Sequence, residues 1–83
     1  MTYEQLLKYK TLYDELDKES IKERIRDLLA AHNLKAGSLS EILGISNHAA
    51  YSYTKKDYGA KPPLYNLLML AAYFNVDVEY FLR

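Results

Sequence analysis

Apolar residues recur along this chain every three or four positions, in short runs separated by turn formers, and nowhere alternate long enough to make a strand. The pattern predicts five or six short helices. Leu6, Tyr9, Tyr13 and Leu16 share one face of a first helix. Thr2-Tyr3-Glu4-Gln5 opens it with capping-box spacing, in which the first and fourth residues satisfy each other's backbone donors. Ser20-Ile21-Lys22-Glu23 repeats that spacing and predicts a second helix, with Ile21, Ile25, Leu28 and Leu29 inward and an end near Asn33. The two stripes are out of phase, so two helices meeting near Ser20 are expected instead of one long rod.

A third helix is expected over roughly Ala36 to Leu43, with Leu39, Ile42 and Leu43 inward. Gly44 supplies the left-handed conformation that stops it, Ile45 plugs the turn, and Ser46 caps a fourth helix running from Asn47 to Tyr53 or Lys55. Lys56-Asp57-Tyr58-Gly59-Ala60-Lys61 has turn chemistry and leads into Pro62-Pro63, after which Leu64 to Phe74 is the most apolar helix. Asn75 suits the left-handed position behind it, and Asp77 caps a short last helix carrying Val78, Phe81 and Leu82. The Leu64–Phe74 helix carries a core stripe of Leu64, Leu67, Leu68, Ala71 and Phe74. Its second stripe, Tyr65, Met69, Ala72 and Tyr73, calls for cover from the N-terminal helix or, failing that, from a second subunit.

At 83 residues, with 49% hydrophobic and 27% charged positions, the chain is one globular domain and not a disordered segment. The absence of cysteine excludes a disulfide framework and a thiolate metal site. Met1 leads into a charged stretch unlike a signal peptide, and the longest apolar run is too short to cross a bilayer, so a cytoplasmic protein is expected. His32 suits the negative pole at a helix end, and neither histidine has a partner at ligand spacing. No nucleophile–base pair or phosphate-cradling glycine loop stands out, so no enzymatic role, cofactor or small-molecule ligand is expected. Nine tyrosines are expected mostly half-buried, hydroxyls outward. Formal net charge is zero but polarised: between Gly44 and Tyr65 three lysines face one acid, Asp57, while most other acids precede residue 28.

Two short helices joined by a glycine turn inside a bundle form the unit that presents one helix to the DNA major groove. The close crossing of such helices needs small residues, here Ser40 and Ala50. Residues Ser20 to Leu82 resemble the Cro- and Xre-like phage-repressor family, five-helix domains that bind operator DNA as dimers. The resemblance rests on Arg24-Ile25-Arg26-Asp27-Leu28, on Leu39-Ser40-Glu41-Ile42-Leu43-Gly44-Ile45-Ser46, and above all on Pro62-Pro63-Leu64-Tyr65-Asn66-Leu67-Leu68-Met69-Leu70-Ala71 followed by Asn75-Val76-Asp77. It implies an all-α architecture: a compact five-helix repressor-like bundle over residues 20–83, with residues 1–19 as an N-terminal helical extension. It also implies double-stranded operator DNA as the partner, bound by a homodimer of a sequence-specific transcriptional regulator of bacterial or phage type, expected to be a repressor.

By position, the resemblance assigns Asn47, His48 and Ser52, with Tyr51 beside them, to base edges. Asparagine pairs bidentately with adenine, and serine donates or accepts at either base type. Phosphate contacts fall to the amides opening the third helix at Ala36, to Ser46, to Lys55, Lys56 and Lys61, and to Tyr65 among the nearby tyrosines. The chain departs from the family pattern at Ala36, where glutamine is usual, and at Ala50 and Tyr53, where branched aliphatic residues are usual. The loop before Pro62 is also slightly longer. A frequent family pairing of a first-helix arginine with a glutamate after the recognition helix maps onto Leu29 and Thr54, so both partners are replaced together, which avoids stranding one buried charge. Zero net charge, Ala36 and the tyrosine-rich surface motivate an alternative, a protein-binding helix-turn-helix module such as an inhibitor, antitoxin or phage accessory factor with little or no DNA affinity.

Overall fold

Thr2 opens the chain's first helix, α1 (Tyr3–Glu15), with the expected capping box: Gln5 N donates to the Thr2 hydroxyl at 3.2 Å, and Thr2 N donates to Gln5 Oε1 at 2.9 Å. The computed structural model describes residues 1–83 as five α-helices and one 3-10 helix, without strands. Backbone at Leu16 is extended, so α1 and α2 (Lys18–Ala31) are two helices and not one rod. The cap of α2 is Asp17, not Ser20, whose N–H instead donates to Asp17 Oδ1 at 2.8 Å. Both residues have cap chemistry three positions apart. The carboxylate wins because a charged acceptor meets the positive pole of the helix.

Bonds from the Ser20 backbone and side chain hold the Asp17 carboxyl below its ordinary value of 3.8. A depressed folded-state value stabilises the fold above that pH, and the contribution disappears as pH falls through 3.8 toward the lower value. Asp17→Asn is therefore expected to flatten the loss of thermal stability as pH falls below 3.8, followed by circular dichroism. An unchanged acid profile would contradict the cap.

Three features shape the next pair of helices. No side chain caps α3 (Ser38–Leu43), which starts two residues later than the pattern suggests. Ser38, Leu39 and Ser40 donate to the carbonyls three residues back, those of Lys35, Ala36 and Gly37, so the chain tightens into a turn before it becomes α-helical. Gly44 then takes φ 65° and ψ 36°, and Ser46 accepts the Ala49 N–H at 3.1 Å to start α4 (Asn47–Ser52). Lys55 N still donates to Tyr51 O, extending the helical path. After the loop, α5 (Leu64–Phe74) ends on left-handed Asn75, and Asp77 caps the 3-10 helix Val78–Leu82 through Glu79 N.

The core joins Ile21, Ile25, Leu28 and Leu29 of α2 to Leu39 and Leu43, Ala50, Leu67, Leu70 and Ala71, and Val78, Phe81 and Leu82. Leu70 is buried although neither expected stripe includes it, because α5 packs against both α3 and the 3-10 helix, which widens its apolar arc. The N-terminal helix does not cover the second stripe: Tyr65 and Tyr73 are 70% and 62% exposed, and only Met69 is half-buried. Instead α1 lays Tyr9, Leu12 and Tyr13 against the core, joined by Leu16 just past its end, and leaves Leu6 exposed. Its position follows from the Tyr13 hydroxyl, which donates to Pro62 O at 2.6 Å, and from Lys8 paired with Glu79 at 2.8 Å. These ties hold α1 on the side of Leu68 and Val76, away from Tyr65 and Tyr73. No helix of the chain is long and apolar enough to cross a membrane.

Candidate nucleic-acid interface

The bend at Gly44 and the half-buried Ile45 turn α4 so that one of its sides seals the core and the other faces out. Ala50 is wholly buried, the small residue that close approach of α3 and α4 requires. Asn47, His48, Tyr51 and Lys55 occupy the outer side at helical spacing, all exposed. Three of the four expected base readers, Asn47, His48 and Tyr51, are thus brought onto one surface. Ser52 is set apart. It is half-buried, its hydroxyl donates to Ala49 O at 2.7 Å, and Gly59 presses against it so closely that a Cβ there would lie 2.8 Å from Ser52 Cβ.

Tyr58, from the loop after α4, completes the surface. Its ring meets His48 edge-on at 5.8 Å between centroids, with the hydroxyl 3.4 Å from His48 Nε2. The Lys55 ammonium lies 5.3 Å from the Tyr51 ring centre and 5.1 Å from that of Tyr58. Attraction to two ring faces limits where this cation wanders. Lys56 is exposed beside it. Lys61 lies elsewhere: its ammonium donates to Tyr13 O and sits 4.0 Å above the Tyr13 ring, so it ties the loop to α1. Tyr65 stands exposed in the first turn of α5, and the Ser46 hydroxyl is engaged by the Ala49 amide. Ala36 is half-buried in the turn ahead of α3 and does not open that helix.

The chain is similar in part to a bacterial protein. The uncharacterized HTH-type transcriptional regulator YobD of Bacillus subtilis (strain 168) is 39% identical over 62 residues, covering 72% of this chain. The chain spans about half of that relative's length, 52%. No family model matches the sequence. No solved structure matches it either.

Beneath the exposed surface, α2 holds the far end of α4 and the loop by their carbonyl groups. Lys18 donates to Gly59 O at 2.9 Å, Lys22 to Lys55 O at 3.1 Å and to Tyr58 O, and Arg26 to Thr54 O at 2.7 Å. These cations are four residues apart and share one helix face. The carbonyls they meet include those a helix end leaves without partners, at its negative pole. Burial pulls the Lys22 ammonium below its ordinary value, against the opposing pull of Glu19, whose carboxylate accepts the Asp57 N–H at 3.3 Å. Leu29 and Thr54, the positions matching the family's ion pair, are both buried and line one cavity with Arg26. Sequence reading missed Lys22 and Tyr58. The four-residue spacing of Lys18, Lys22 and Arg26 was the available signal for the first, and nothing local marks the second.

Proposed function

We propose that this chain is a DNA-binding transcriptional regulator that lays the outer face of α4 in the major groove. The observation that carries this reading is the set of exposed side chains Asn47, His48 and Tyr51 on a short helix braced by a glycine turn, with Lys55 and Lys56 at its end. Asn47 pairs with adenine, and His48 contacts a guanine or a phosphate. The Tyr51 ring offers apolar contact to a thymine methyl group. Lys55, Lys56 and the Tyr58 hydroxyl serve the phosphates, with Tyr65 at the margin. Ser52 contributes as the surface on which Gly59 of the loop packs, its hydroxyl turned back to Ala49 O within α4. The relative's description as an HTH-type transcriptional regulator supports the same reading. So does the resemblance to Cro- and Xre-like repressors, from which we take a cytoplasmic repressor that binds a palindromic operator as a homodimer, one α4 per half-site.

The protein-binding alternative draws on one feature, the exposed Tyr65 and Tyr73 on α5, which such a module would use for its partner. Titrating binding of a random duplex against salt separates the two. Each neutralised phosphate contributes about −0.9 to the slope of log K against log salt. Lys55→Ala combined with Lys56→Ala is expected to make that slope shallower by about one to two units on any sequence. A flat wild-type response would contradict DNA binding, and an unchanged slope in the double variant would remove these lysines from the interface.

A further inference from the structure

We propose that Lys22 is a positioning residue for DNA binding, which sets the loop after α4 from beneath so that Lys55 and Tyr58 face the phosphates. The proposal rests on the DNA reading above. Lys22 has no exposed surface, and its ammonium donates to the carbonyls of Lys55 and Tyr58, which bracket the loop's first turn. Withdrawing an ammonium from water is unfavourable, so space-filling alone would favour an apolar side chain of the same volume. What the cation adds is the two carbonyl bonds.

Those bonds have a direction. With the carbonyls of Thr54, Lys55, Tyr58 and Gly59 all drawn toward Arg26, Lys22 and Lys18, the loop's inner side is committed to α2. The Lys55 and Tyr58 side chains are left on the outer side, where they meet each other, Tyr51 and His48. Asp57 is held at φ 60° within this turn, its N–H accepted by Glu19. The three cations also offset the negative pole of α4, which would otherwise repel a phosphate placed near Lys55. Lys22 acts through Lys55 and Tyr58 and touches no DNA itself.

The test uses the whole chain with Lys22→Met, which keeps the volume and removes the donor. Random-duplex affinity at low salt is expected to fall roughly tenfold and the salt slope to become shallower by about one, as one phosphate contact is lost. The nuclear Overhauser contact between the Tyr58 and His48 rings should disappear. A purely structural role would lower the melting temperature while leaving slope and ring contact unchanged in the folded protein. That result, or a wild-type slope with the ring contact intact, would overturn the proposal. Lys22→Arg, which retains a cation for the carbonyls, should restore slope and contact. Should Lys22→Met fail to fold, Lys18→Met at the half-buried edge of the same ladder should shift both readouts in the same direction by less, and no shift would count against the proposal. If wild type binds no DNA, the DNA reading fails by itself, and the Tyr58–His48 contact alone decides whether Lys22 sets the loop.

Discussion

Replacing Phe81 by alanine is expected to lower the free energy of unfolding by about 3–5 kcal/mol. Phe81 is completely buried in the 3-10 helix, with the Tyr80 ring edge-on at 5.2 Å. That helix contacts α1, α2 and α5, so the ring sits where three elements converge. A domain of this length has about 4–12 kcal/mol in total at roughly 0.05–0.15 kcal/mol per residue. The substitution therefore removes a large part of the whole and should leave a population unfolded at moderate temperature. Urea denaturation followed by circular dichroism measures it. A loss below about 1 kcal/mol would mean that the C-terminal turn is an appendage and not part of the core.

The second large effect is expected at Gly59. Its φ is +71°, a left-handed conformation, and a Cβ there would stand 2.8 Å from Ser52 Cβ. Gly59→Ala thus carries the conformational penalty of about 1–2 kcal/mol together with a collision against α4. We expect a total loss of about 2–3 kcal/mol, or a loop that moves to avoid it and takes Tyr58 away from His48. Gly44→Ala is the control. Gly44 also lies at positive φ, +65°, yet a Cβ would meet nothing within 4 Å, so only the conformational part applies. Thermal denaturation of the two variants should rank Gly59→Ala clearly below Gly44→Ala. Equal losses would contradict the close packing of the loop on Ser52.

Features governed by neighbouring residues were legible in the sequence. The Gly44 turn, the Ser46 and Asp77 caps, left-handed Asn75 and the limits of α5 each depend on groups a few positions apart, and each stands as the pattern predicts. Cap competition was harder. Asp17 and Ser20 lie three residues apart with similar chemistry, and charge at the helix pole decides between them. The start of α3 shifted because Gly37 offers no capping side chain. The exposed Tyr65–Tyr73 face and the burial of Leu70 depend on where α1 and the 3-10 helix dock, which periodicity within α5 does not encode. The resemblance implied an outward face of Asn47, His48, Tyr51 and Ser52, and the first three are exposed while Ser52 is half-buried. Completion of that face by Tyr58 and its support by Lys22 were not legible, because the carbonyls that Lys22 holds are 33 and 36 residues away.

The most direct test of the central claim is a residue-resolved one. Backbone and side-chain resonances of the labelled protein would be followed while adding a duplex enriched from a random pool. The largest changes are expected at Asn47, His48, Tyr51 and Lys55, with Tyr58 next and little on α1. Changes gathered instead at Tyr65 and Tyr73, or none with a saturating duplex, would contradict it.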